Sequence, residues 1–186
     1  MARQFAEWRD DLEVHVALAR FSFESYVRFG TQVRLADVPA ELPAEFTQQR
    51  AGAFVSLHSD DAAESLRGCI GTIAATRSCV AEEILVNAVS ACAHDPRFYP
   101  VTPPELEHIV CSVDVLGAAE PCSFDDLDPQ RYGVIVSDGR RRGLLLPALD
   151  GVDTAEYQVD IARQKAGIPA GAHFELERFE VVRYEQ

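Results

Sequence analysis

At 186 residues the chain fits one domain of ordinary size, long enough to bury a core without disulfides or a structural metal. Its composition, 47% hydrophobic and 25% charged, is that of a globular protein, and a net charge of −13 argues against nonspecific binding to nucleic acid or an anionic membrane. Residues Met1 to Phe5 are followed by acidic and polar residues instead of a signal-peptide run, and no stretch approaches the roughly 20 apolar residues of a spanning helix, so a cytoplasmic location is expected.

From Asp10 to Arg28, Leu12, Val16, Ala19, Phe23 and Tyr26 recur in steps of three and four, which predicts a helix with one apolar stripe, stopped by Gly30. Residues 36 to 43, with two prolines and two acids, form an irregular connection. A strand follows over 53–58, with Val55 and Leu57 on one face and Phe54, Ser56 and His58 on the other. Leu66 to Ile73 is apolar and β-compatible but broken by Gly68 and Gly71, which suggests a strand with a bulge or close backbone approach, with a loop as the alternative. Ser78 is the expected cap of the next helix, Glu83, Asn87, Ser90 and His94 its polar stripe, and Pro96 stops it near His94.

Ile109 to Leu116 alternates as a strand with one strongly apolar side. Val134-Ile135-Val136 and Leu144-Leu145-Leu146 flank Asp138-Gly139, whose turn positions tolerate positive φ, so an antiparallel hairpin is expected. Asp153 and Glu156 make a capping-box pattern for a last helix, with Ala155, Val159, Ala162 and Ala166 as its stripe and Gly167 and Pro169 as its end. The tail from Phe174 to Tyr184 is strand-like, and its apolar phase shifts between Leu176 and Phe179, which predicts a bulge near Glu177 and Arg178.

Cys69, Cys79, Cys92, Cys111 and Cys122 are an odd set without close pairing and read as free thiols, and no Cys-x-x-Cys supports a zinc site. In an extended Leu66 to Thr72, period two puts Arg67 and Cys69 on one face, where the guanidinium favours thiolate and can bind a carboxylate or phosphate. Gly68 and Gly71 let a ligand or a second backbone come close. The same residues also fit a plain role, with Cys69 a small buried hydrophobe and Arg67 a surface or core-bridging residue. Gly68 and Gly71 share the spacing of an RNA-clamping loop, but Cys69-Ile70 between them and the acidic charge speak against nucleic acid. No phosphate loop or Gly-x-Gly-x-x-Gly is present, so no cofactor is expected.

Leu66-Arg67-Gly68-Cys69-Ile70-Gly71 resembles the signature of the AMMECR domain family. Gly52 to Leu57, Asp95-Pro96-Arg97-Phe98-Tyr99-Pro100, Gly143-Leu144-Leu145-Leu146-Pro147 and Lys165-Ala166-Gly167 follow the family's order, from about residue 10 to the C-terminus. The resemblance implies one AMMECR-type domain over 1–186 with an α+β fold, a mixed and mainly antiparallel sheet with flanking helices, in two lobes around a cleft. It also implies association with Memo-like or radical S-adenosylmethionine proteins, and no established biochemical activity. After Pro147 the chain has Ala148-Leu149 where relatives commonly carry Gln and Val.

Two readings follow. The first is an enzyme or enzyme component acting on a small anionic molecule at the cleft. Cys69 is its candidate nucleophile, His94 a candidate base with His58 as competitor, and Arg67, Gly68, Gly71 and Arg97 its substrate-binding residues. The second is a non-catalytic binding or regulatory module docking a Memo-like or radical S-adenosylmethionine partner, with Arg140-Arg141-Arg142, the one cationic run, as a docking point.

Overall fold

The computed structural model describes residues 2–186. Their chain divides into two compact units: the residues up to Val115 with Arg183–Gln186, and Leu116–Val182. Both are mixed α and β, and each is built on its own four-stranded sheet.

The first unit begins with α1 (Ala2–Asp11) and α2 (Val14–Phe29), where the spacing predicts one helix from Asp10. The break at Leu12 and Glu13 has a packing reason. Val16 to Ser25 are buried without interruption, so α2 is a central helix needing cover on several sides, and α1 supplies part of it with the Phe5 and Phe21 rings 5.0 Å apart. Gly30 ends α2 in the left-handed conformation and donates its N–H to Tyr26 O. Buried Arg20 is held by Glu24 at 2.9 Å and donates to the carbonyls of Ile109 and Leu106, so no charge on α2 is buried without a partner.

After a short helix α3 (Ala44–Gln48), β1 (Ala53–Ser59) and β2 (Leu66–Gly71) form an antiparallel pair, followed by α4 (Val80–Ala93) and β3 (Ile109–Leu116). The sheet order is β2, β1, β3 and a last strand β8 (Val181–Glu185), so β2 is an edge. Val55, Leu57, Cys111 and Val113 turn one face of this sheet into the core shared with α2 and α4. The cap of α4 is Cys79 and not Ser78, whose hydroxyl bonds Glu82 instead. Glu83 and Asn87, expected as a polar stripe, are buried because they bind backbone. Glu83 accepts from Thr72, Thr76 and Arg77, and Asn87 donates to Ala53 O. Burial alone would raise the Glu83 pKa, yet these bonds hold it below the ordinary value.

The second unit holds β4 (Glu120–Pro121), β5 (Gly133–Ser137), β6 (Arg142–Leu145), α5 (Ala155–Lys165) and β7 (Glu175–Phe179), in sheet order β4, β7, β5, β6. The antiparallel hairpin forms, but only Gly139 takes positive φ, at 83°; Asp138 N–H donates to Arg141 O, and the Asp138 carboxylate accepts from the N–H groups of Arg140 and Arg141. Thr154, one residue past the expected Asp153, caps α5. The tail has no bulge at Glu177 and Arg178, where pairing with β5 is in register from Glu175 to Phe179. The apolar phase shifts because Phe179 packs on Gly133 while Leu176 faces the core on α5, and the strand breaks at Glu180, where the chain leaves one sheet for the other.

Candidate functional site

The β1–β2 register gives β2 its bulge. Ser56 faces Cys69 and Leu57 faces Gly68, but His58 faces Leu66, so Arg67 is the extra residue. Gly68 sits against the carbonyl of Ala91 on α4, the close approach that its lack of a Cβ permits. The alternation carries Cys69 to the opposite face, where Ser112, Ser56 and Cys69 form one cross-strand row. Ser56 Oγ donates to Cys69 Sγ at 3.2 Å.

As an edge residue, Cys69 points its backbone polar groups away from β1, and the Asp95-Pro96-Arg97 turn takes both. Its N–H donates to Asp95 Oδ2 at 2.9 Å, and its carbonyl accepts from Arg97 Nη2 at 3.2 Å. Asp95 also holds Arg97 at 2.7 Å, with the carboxylate side chain 2% exposed and the arginine 54%. Arg97 N–H bonds first, then backbone donors, keep the Asp95 carboxyl well below the ordinary carboxylate range against the cost of burial. A second pair repeats the design. Asp114, 2% exposed and on the face of Ser112, accepts from Arg183 Nε at 2.7 Å and Nη2 at 3.3 Å, and that arginine is 39% exposed. The Arg183 guanidinium is held above its usual pKa chiefly by its hydrogen bond to Asp114.

Arg67 uses its guanidinium on the segment after α4. Its three nitrogens donate to Glu105 Oε1, Tyr99 O and Pro100 O. Burial would raise the Glu105 carboxyl, but the bond from Arg67 and those from Thr102 lower it to about 2. His94 caps the end of α4 with its ring edge-on to Tyr26 at 6.1 Å. His58 shares the face of Ser56 by alternation. Among the described residues, no group of three His, Cys, Asp or Glu is placed to hold a metal, and no helix is long and apolar enough to cross a membrane.

The AMMECR1 family profile matches residues 16–186. The chain belongs to the AMMECR1 family. It is 50% identical over 164 residues to a protein of Thermotoga maritima, covering 87% of this chain and 91% of that one. A Clostridium acetobutylicum protein is 40% identical over 183 residues, 98% of this chain but 38% of its own length. The structure of an uncharacterised Pyrococcus horikoshii protein superposes with a TM-score of 0.84 at 28% identity, covering 97% of this chain and 92% of that one.

Within this AMMECR1 chain the five cysteines are free, and their surroundings differ. Cys79, Cys92 and Cys111 are buried, and burial pushes the thiols of Cys92 and Cys111 up to about 12, whereas Cys69 is half-buried beside a hydroxyl donor. Of the hairpin arginines, Arg141 is tied to Asp138 and Gly167 O and Arg142 to Glu177, which neutralises two of the three. Sequence reasoning misses Arg183 and Asp114. Asp114 carries a signal, a lone acid on the second face of an apolar strand, but its partner is 69 residues away.

Proposed function

We propose that this AMMECR1 chain is an enzyme or enzyme component acting on a small anionic molecule at the polar face of its first sheet, with Cys69 as the reactive thiol. One observation carries the reading: the Cys69 sulfur is half-buried and accepts a hydrogen bond from Ser56, while Asp95 and Arg97 fix its backbone. Arg97, with its half-exposed guanidinium, takes the role of anion anchor, and Arg67 holds the turn that positions it. In iodoacetamide labelling at neutral pH, Cys69 is expected to react at least about tenfold faster than Cys92 and Cys111, and Arg97→Ala to slow it. A Cys69 that stays unlabelled until the protein unfolds would refute the reactive thiol.

A second reading, a binding or regulatory module for a Memo-like or radical S-adenosylmethionine partner, is favoured by Tyr99. This residue is 90% exposed, while Arg67 pins its carbonyl at 2.8 Å. A rigidly held, exposed tyrosine is the residue type that dominates interface energetics. Tyr99→Ala is expected to weaken partner binding by about tenfold or more in calorimetry, with Cys69 labelling unchanged. Equal affinity of the variant would remove this surface from consideration.

A further inference from the structure

We propose that Arg97 and Arg183 form a paired site for a small dianion carrying its charges on two separate groups, a short-chain dicarboxylate, held across the Cys69 thiol. The proposal deepens the thiol reading, and rests on it only for the idea that a ligand reacts there.

The two arginines are built alike. Each spends Nε and Nη2 on a nearly fully buried carboxylate, Asp95 or Asp114, and among the described residues neither Nη1 has a hydrogen-bond partner. A buried carboxylate on one edge fixes a guanidinium's direction and leaves the other edge to donate outward. Arg67 differs, because it donates all three nitrogens within the protein.

The placement also favours two separated charges over one. Arg97 meets the carbonyl of Cys69 at the outer edge of β2, and Arg183 is bound to Asp114 on β3. Cys69 and Ser112 are two strands apart and Asp114 lies two residues further along β3, so with strands about 4.8 Å apart and about 3.4 Å per residue the anchor points of the two arginines, Cys69 and Asp114, stand on the order of 12 Å from each other. One carboxylate or phosphate cannot bond both at that separation. Two carboxylates joined by a short carbon chain can, and the chain then lies over the Ser112, Ser56 and Cys69 row.

The test is calorimetric titration of the full chain with succinate, beside acetate and inorganic phosphate, at moderate salt. Succinate is expected to bind at least about tenfold more tightly than acetate, and Arg97→Ala or Arg183→Ala each to weaken it about tenfold or more. Arg97→Lys and Arg183→Lys, which keep the charge but lose the fork, should also weaken it, and thermal melts check that all four variants fold. Iodoacetamide labelling of Cys69 in the same preparations separates this proposal from the thiol reading: failed labelling with intact succinate binding refutes only the thiol. Succinate that binds no better than acetate, or that ignores both arginine changes in folded variants, overturns the paired site. So does phosphate binding that depends on Arg97 alone while succinate does not bind.

Discussion

Gly68→Ala is expected to lower folding stability by on the order of 3 kcal/mol or more, because the new methyl would overlap the Ala91 carbonyl oxygen. That oxygen belongs to the backbone of α4, so the clash can be relieved only by moving the helix or the strand. Gly30→Ala provides the comparison. Gly30 also disfavours a side chain, at φ 65°, but a Cβ there meets nothing within 4 Å, so its cost should be about 1 kcal/mol. Equal midpoints for the two variants in urea unfolding would mean that β2 and α4 can separate freely, and that Gly68 does not set their distance.

Asp95→Ala should cost about 3 kcal/mol at neutral pH, since it leaves the Cys69 N–H without its acceptor and Arg97 without the carboxylate that aims it. Asp95→Asn tests the charge more gently. The native carboxyl has a pKa held below its unfolded value, mainly by Arg97, so its stabilisation is complete above about pH 4 and is lost as pH falls through the native pKa. The stability gap between parent and Asp95→Asn is therefore expected to be largest near neutrality and to shrink in acid. A gap that grows on acidification would show the sign to be wrong. Either change should also free Arg97 and slow alkylation of Cys69.

Elements governed by neighbours in the chain are legible in the amino-acid sequence. Asp138-Gly139 must turn, Gly30 must stop a helix, and Val55 and Leu57 must share a face. The two glycines of β2 signal both a bulge and a close approach, and the chain has both there. Long-range pairing is less visible. A bulge at Arg67 rather than elsewhere in the strand decides that its guanidinium serves Glu105 and Tyr99, and nothing local in the sequence places it. Glu83 and Asn87 look like a solvated stripe because their partners are backbone groups of a loop and a strand. Arg183 lies in a tail whose two halves, Glu175–Phe179 and Val181–Glu185, look continuous but join different sheets.

The switch at Glu180 also bears on the order of folding. The first sheet takes its fourth strand from residues 181–185, far along the chain from β3, and closing a flexible loop of that length carries an entropy that grows with the logarithm of its size. Gly117 N–H donates to Glu180 O at 2.8 Å, so the two ends of the intervening segment are fastened together within the second unit. Once that unit has folded, the strand arrives beside its partner as though only a few residues separated them. If that unit folds first, the insert acts as a clasp, and loss of the Gly117 to Glu180 junction is expected to slow completion of the sheet that carries the thiol in refolding kinetics.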